Sequence, residues 1–487
     1  MSDVSNLVQA AAQAANDDTM IIAVVDRVGN PLAVYRKPSA PAMATGNFGN
    51  MVNANDLAVA LARTAAFFSN DQAPLSSRTV RFISGIHFPP GVMNQPNADL
   101  YGIENTNRGC QLVPAGPNTL PPATALAGGP GLGILTGKAD VMDSQPFAVN
   151  PGGVPIFKTD ASGNTYAIGG IGVVASTLDV AEYAAFAAAF SNGFGLTPAA
   201  PGVVIVGGIA LPFVNNTTRP AGFTAGTADG AYLAGFPIAS PGLLPEGDLI
   251  TPTNGPMGGL TAAQVTEILD ATESTANQIR GVIRLPIGAR AKMVFAVADL
   301  DGTLIGLRRM HDATIFSVDV ASSKARNMVY FNSSAVSPND MPGVPIGTAV
   351  TNRTISFGAM PLYPPGIDGT SPGPFFNLFL NDVAHPCTQG SQPTPGAPPT
   401  NQSGIVFFPG STGLYVNGTL VGGLGISGDG VDQDDFVTNG GASGGINFVP
   451  TCSGPNCYLP PPGIRADQIF DQGVRLPFSK FPRNPTN

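Results

Sequence analysis

Charge is scarce in this chain. Aspartate, glutamate, lysine and arginine make up 11% of its 487 residues, less than half the usual share of about 25%. What charge there is leans acidic, with a formal net charge of −9. No basic run occurs, which argues against nucleic acid or an anionic membrane surface as a partner. Histidine is rarer still, at three residues, and cysteine numbers four. No Cys-x-x-Cys-His occurs, so covalent attachment of a c-type haem is excluded. Cys452 and Cys457 lie in TCSGPNC, with no second Cys or His pair at zinc spacing. The stretch therefore reads as a small disulfide hairpin in preference to free thiols, and half of a metal site would lack its second ligand pair. No apolar run reaches the ~18 residues of a spanning helix. The longest, VVIVGGIALPFV at 203–214, is interrupted by Gly and Pro. The start, MSDVSNLVQAAAQAA, lacks the basic end and apolar core of a leader and reads as an amphipathic helix. The expectation is a periplasmic or extracellular protein whose leader is absent from this sequence.

Two catalytic motifs fail on inspection. GASGG at 441–445 matches Gly-x-Ser-x-Gly, but all three histidines precede Ser443 and the setting is a Gly-rich loop. LGILTGKA at 132–139 misses the phosphate-loop spacing and has no Ser or Thr after Lys138.

What the chain has in abundance is glycine, at 61, and proline, at 47, with 43% hydrophobic residues. Those numbers describe a folded chain with many turns and long ordered loops. It also repeats itself. AVVDRVGNPLAVYR at 23–36 recurs as AVADLDGTLIGLRR at 296–309. DLAVALARTAAFFSN at 56–70 answers DVASSKARNMVYFNS at 319–333, and RTVRFISGIHFPPGV at 78–92 answers RTISFGAMPLYPPGI at 353–367. AIGGIGVVASTLDVAEY at 167–183 answers LVGGLGISGDGVDQDDF at 420–436. Four blocks in one order indicate duplication. Each copy predicts a helix, a strand hairpin turning on RVGN or LDGT, an Ala/Arg helix, a long Pro/Gly-rich excursion, a Gly-rich hairpin and a short acidic helix start. Asp179 and Asp432 suit the first turn of that last helix better than they suit calcium. The expected class is α+β: two tandem antiparallel sheets flanked by helices, related by a pseudo-two-fold. The expected units are 1–191, a Gly/Pro-rich linker or wrapping arm at 192–259, 260–445, and an extended tail at 446–487.

These blocks resemble the GlcG/HbpS-type haem-binding, also called haem-degrading, domain. The residues that carry the resemblance in the first copy are Asp26, Gly29, Arg36, Pro151, Gly152, Gly153, Val154, Pro155, Gly169 and Gly172. In the second they are Asp299, Gly302, Arg309, Met310, Lys324, Ala325, Pro409, Gly410, Gly425, Gln433 and Asp434. Together the blocks span about half the chain. Two departures stand out: insertions near 93–145 and 366–403, and GSTGLY where the first copy has GGVPIF. The resemblance implies self-association of single-domain relatives. A tandem chain then reproduces a homodimer, and Cys110 and Cys387, at near-equivalent places, pair across the axis or each pair elsewhere.

The resemblance also implies haem, or another small apolar ligand, as cofactor. Haem needs an apolar slot and an axial His, Met, Cys or Tyr. His311, in RRMHDA, and His87, in GIHFPPG, are the metal-ligand candidates; His385, Met310 and Tyr35 rank below them. Arg36, Arg308 and Arg309 are candidates for propionates, or for solvated strand ends. Gly152, Gly153 and Gly410, with Gly169, Gly172 and Gly425, are cofactor-binding candidates; in the strands, Gly169, Gly170, Gly172, Gly422, Gly423 and Gly425 allow close approach of a flat ligand or, more readily, of another backbone. Three functions compete: a haem or tetrapyrrole binder, a structural or assembly protein on the same fold with its pocket lost, and an enzyme acting on haem or a small organic substrate. No catalytic constellation supports the last.

Overall fold

The computed structural model describes residues 2–46, 51–84, 103, 149–206, 208–235, 246–367, 369–385, 388–390, 401–445 and 448–481. His87, Cys110, Cys387 and nearly all of the first insertion lie outside them.

The first half runs α1 (Ser2–Ala14), β1 (Ile21–Asp26), β2 (Pro31–Arg36), a small hairpin β3 (Met43–Thr45) and β4 (Met51–Asn53), α2 (Ala54–Phe68), α3 (Ser77–Ser84), β5 (Gly153–Thr159), β6 (Thr165–Val174) and α4 (Leu178–Ser191). The connecting arm adds β7 (Ile205–Val206), β8 (Ile209–Ala210), β9 (Ala231–Tyr232) and β10 (Gly247–Ile250). The second half runs α5 (Ala262–Ala276), β11 (Val294–Ala298), β12 (Leu304–Arg309), α6 (Phe316–Phe331), α7 (Asn352–Gly358), α8 (Phe376–Ala384), β13 (Ser411–Val416), β14 (Thr419–Ser427) and α9 (Val431–Ser443). The tail carries β15 (Phe470–Asp471) and β16 (Val474–Arg475).

Each half is an antiparallel sheet between helices. The strand orders are β5-β6-β1-β2-β9 and β13-β14-β11-β12-β10, the same order twice. Period-two alternation places the two faces. Ile21, Ala23 and Val25 pack towards α2, whereas Ile22 and Val24 pack towards α1 and α4. With helices on both faces, all six residues of β1 are buried. Gly29 (φ 85°) and Gly302 (φ 80°) turn the two hairpins, conformations that a side chain resists. The α2 cap is Asn53, whose side chain accepts from the Asn55 and Asp56 N–H groups; Thr261 and Gln264 form a capping box on α5.

The arm and the tail are parts of the two folds. The arm supplies the outer strand of both sheets, β9 beside β2 and β10 beside β12. Leu211-Pro212-Phe213 and Leu476-Pro477-Phe478 then dock alike. Thr79 Oγ1 donates to the Pro212 carbonyl at 2.7 Å and Thr354 Oγ1 to the Pro477 carbonyl at 2.7 Å. Other contacts recur in the same way. Arg63 Nε donates to the Gly29 carbonyl and Arg326 Nε to that of Gly302, at 2.7 and 2.9 Å. Arg78 pairs with Glu182 as Arg353 pairs with Asp435, each at 2.5 Å.

Described contacts between the halves include those that join the end of α2 to the loop before α6. Phe68 stacks on Phe316 at 4.0 Å, and the Ile315 N–H donates to the Phe67 carbonyl. Beside them Arg284, 1% exposed, reaches Asp312 at 2.5 Å, Asp429, and Gln72 of the first half at 3.2 Å. Among the described residues no helix is long and apolar enough to cross a membrane. Cys452 and Cys457 form a disulfide.

Candidate functional site

The glycines are the first test of a flat-ligand slot. A Cβ on Gly170 or Gly172 would overlap the carbonyl oxygens of Ala62 and Ala58, and one on Gly153 would overlap that of Leu61. Gly423 and Gly425 meet the Ala325 and Ala321 carbonyls of α6 in the same way. These glycines therefore bring the α2 and α6 backbones down onto β6 and β14. A Cβ on Gly169 would overlap the Val25 carbonyl of the neighbouring strand. Gly152 lies against Val173, Ala181 and Leu61, and Gly410 against Ile426, Asp434 and Lys324. The close approach expected of all six glycines is to protein, and the space above them is filled.

The arginines are likewise engaged. Arg36 donates to Asn55 Oδ1 and to the Ala40 carbonyl, each at 2.6 Å. Arg308 is held by Asp248 at 2.6 Å, Asp270 at 2.7 Å and Glu273 at 3.1 Å, and these carboxylates keep its pKa above the ordinary arginine value although burial works to lower it. Arg309 is buried, donates from Nε to the Ala313 carbonyl at 3.0 Å, and is pushed down to about 10 by burial first and by Arg27 second. The Tyr35 hydroxyl accepts from the Gly230 N–H at 2.5 Å, and Met310 Sδ from the Met293 N–H at 3.4 Å. The structure thus leaves these side chains as ties within the fold.

His311 is different. It sits on the loop between β12 and α6, with its side chain 66% exposed. Its Nδ1 lies 2.9 and 3.0 Å from the two carboxylate oxygens of Glu246, at the start of β10. Burial works to raise the Glu246 carboxyl, but hydrogen bonds from His311 and the Asp312 N–H outweigh it and hold its pKa low. An ionised acceptor on Nδ1 gives that nitrogen the proton, and in the neutral ring the lone pair is then on Nε2, the arrangement of a metal-ligating imidazole oriented by a carboxylate. Nothing near His311 in sequence names Glu246, which lies 65 positions away. His385, at the end of α8, is exposed, its Nδ1 3.2 Å from the Asn381 carbonyl oxygen.

The second half also holds a buried ion pair that sequence reasoning placed only among the family-like residues. Lys324, fully buried, donates from Nζ to the Ile426 carbonyl at 2.6 Å and to Asp434 at 3.1 Å, and lies 4.8 Å from the centre of the Phe408 ring. The equivalent first-half positions, against Gly152, are Leu61 and Ala181.

Among the described residues, burial raises the pKa values of Asp56, Asp71, Asp319, Asp429, Asp434, Asp435 and Asp471, and for three of them the rise is large. Asp434 is pushed up to about 7 by burial, which the Lys324 charge only partly offsets. Asp319, in the first turn of α6, is pushed up to about 7 by burial, and Asp71 to about 6 by burial and then by the charge of Asp312. A carboxyl whose folded pKa exceeds its unfolded value of about 4 holds its proton more tightly when folded. Stability should therefore fall as pH rises from about 4 towards 7. Asp17, held low by hydrogen bonds from Thr19 and Ser176 that outweigh its burial, loses its contribution only below that window. The melting temperature should rise between pH 7.5 and 5.5, with a flatter slope in Asp319→Asn. A melting temperature that falls over that interval contradicts the assignment.

Residues 260–443 match the family model described as haem degrading protein HbpS-like. No curated protein matches the chain. Among solved structures, the Klebsiella pneumoniae protein ORFY, of family DUF336, is 19% identical over 37% of this chain and 87% of that one, with a TM-score of 0.24. PduOC in complex with heme is 22% identical over 38% of this chain and 94% of that one, also at 0.24. Neither likeness, at that TM-score, bears on the site. The family match spans α5 to α9, including the His311 loop and the Lys324–Asp434 pair.

Proposed function

We propose that the protein binds haem or a related tetrapyrrole through its HbpS-like half, with His311 as the axial ligand. The observation that carries this reading is the exposed His311 imidazole oriented by Glu246, inside the segment that matches a haem-degrading family. The donor set fits the group: a neutral imidazole with Nδ1 hydrogen-bonded to a carboxylate is a strong iron ligand. Haem, when bound, supplies a redox-active iron in a flat apolar ring. On this reading His311 would hold the iron through Nε2, and Glu246, by accepting from Nδ1, would fix the tautomer and raise the basicity of the ring. The Asp312 N–H, which donates to Glu246 at 3.3 Å, steadies that carboxylate. Arg36, Arg308 and Arg309 take no part, because their donors already meet protein acceptors. No step of haem breakdown is assigned to any residue.

The first half is, on this reading, a second copy of the domain that has lost the site. Its sheet order and its Arg63, Arg78 and Thr79 contacts support the common origin. The Cys452–Cys457 disulfide supports an oxidising compartment, periplasmic or extracellular.

Titrating the apo-protein with hemin tests the proposal. The expected result is a saturable Soret shift that reaches a stoichiometric end point. A linear rise without saturation, the behaviour of free hemin adding to solution, contradicts it.

A further inference from the structure

The first half contains a cavity of about 220 Å³ with no counterpart in the haem reading. Leu75, Phe190, Val204, Leu211 and Phe213 wall it, and Leu285 of the second half closes one side. None of its lining residues is charged, and none is a His, Met, Cys or Tyr that could ligate iron. One lining hydroxyl, that of Thr79, is already donated to the Pro212 carbonyl.

The matching place in the second half is built differently. There the ring of Phe478, the partner of Phe213 in the repeated Leu-Pro-Phe, is covered by the Arg465 guanidinium at 4.8 Å. Asp467 fixes that guanidinium at 2.6 Å. Counting back along each arm from Leu-Pro-Phe, Arg465 and Asp467 fall on Ala200 and Gly202. Along the last helix of each half, Ser443 falls on Phe190. The first half has thus lost a charged cap and gained an aromatic wall. The cleft opens to solvent, so an apolar ligand that fills it removes apolar lining from water, which is favourable.

We infer that this cavity is a binding site for a compact, uncharged apolar molecule, an aromatic or branched aliphatic one. Charged ligands are excluded because no counter-charge lines the wall, and strongly polar ones are disfavoured because, of the two lining hydroxyls, Thr79 is engaged and Thr197 is exposed. The site is independent of His311.

The test uses the full-length protein, with toluene as the probe and methyl NMR as the readout. Saturable shifts are expected at the methyls of Leu75, Val204 and Leu211. They should be lost in Ala200→Arg, which places a long charged side chain at the position of Arg465, and in Val203→Trp, which fills the rim. Both variants should melt within a few degrees of the parent, which separates loss of the site from loss of the fold. Absence of saturable shifts at these methyls, or toluene binding undiminished in both variants, overturns the inference. Hemin titration of the same variants should be unchanged, so failure here leaves the haem proposal standing.

Discussion

Replacing Arg284 with alanine should destabilise the protein by about 3–5 kcal/mol, the range for removing one partner of a buried ion pair. This guanidinium answers two buried carboxylates at once. Its Nε meets Asp429, its Nη1 meets Asp312 at 2.5 Å, and its Nη2 donates to the Asp312 carbonyl at 2.6 Å. Burial alone would depress its pKa, but Asp429 and then Asp312 outweigh that and hold it above the ordinary arginine value. Without it both carboxylates face each other across a dry gap. The loss also cuts the tie to Gln72 at the junction where Asn70 donates to the Ile283 carbonyl and the Asp71 N–H to Asp312. The halves should then unfold at separate midpoints in urea, followed by probes in each half. Arg284→Lys, a point charge that cannot bridge both acceptors, should recover only part of the loss. A loss below about 1 kcal/mol, typical of an exposed pair, contradicts this account of the junction.

The second large effect is a cycle that the molecule has already run on itself. Lys324→Leu alone should cost about 3–5 kcal/mol, because Asp434 remains buried without its cation. Lys324→Leu with Asp434→Ala should regain most of that loss. The double variant installs the pair that the first half carries as Leu61 and Ala181 around Gly152. Buried pairs replaced by apolar groups of similar volume are often neutral or stabilising, and contacting residues depart from additivity by 0.5–3 kcal/mol. Denaturant midpoints for the parent, both single variants and the double decide the matter. Additive losses, with the double the least stable of the four, contradict the equivalence drawn between the halves.

The sequence carried the parts whose pattern is local. The two hairpins turn where Gly29 and Gly302 stand, and the Gly-rich strands meet helix backbones, the reading favoured for Gly170, Gly172, Gly423 and Gly425. What it hid depends on distant partners. The arm at 192–259 reads as linker because β9 and β10 are two and four residues long, too short for an alternating pattern to show. The repeated Leu-Pro-Phe at 211–213 and 476–478 was the available signal that the arm and tail dock alike. Arg308 looks like a solvated strand end until Asp248 from the arm and Asp270 and Glu273 from α5 converge on it. The distinction between His311 and the other described histidine, His385, rests on Glu246, which no motif links to it. The pairing of Cys110 and Cys387 lies outside the described residues.

The most direct measurement is the hemin titration made side by side on the parent, His311→Ala and His385→Ala. The account predicts a saturable Soret band in the parent and in His385→Ala, and its loss, or a shift to the position of a chain without an imidazole ligand, in His311→Ala. The same saturable band in all three proteins would contradict His311 as the ligand. No saturable band in the parent would contradict haem binding itself.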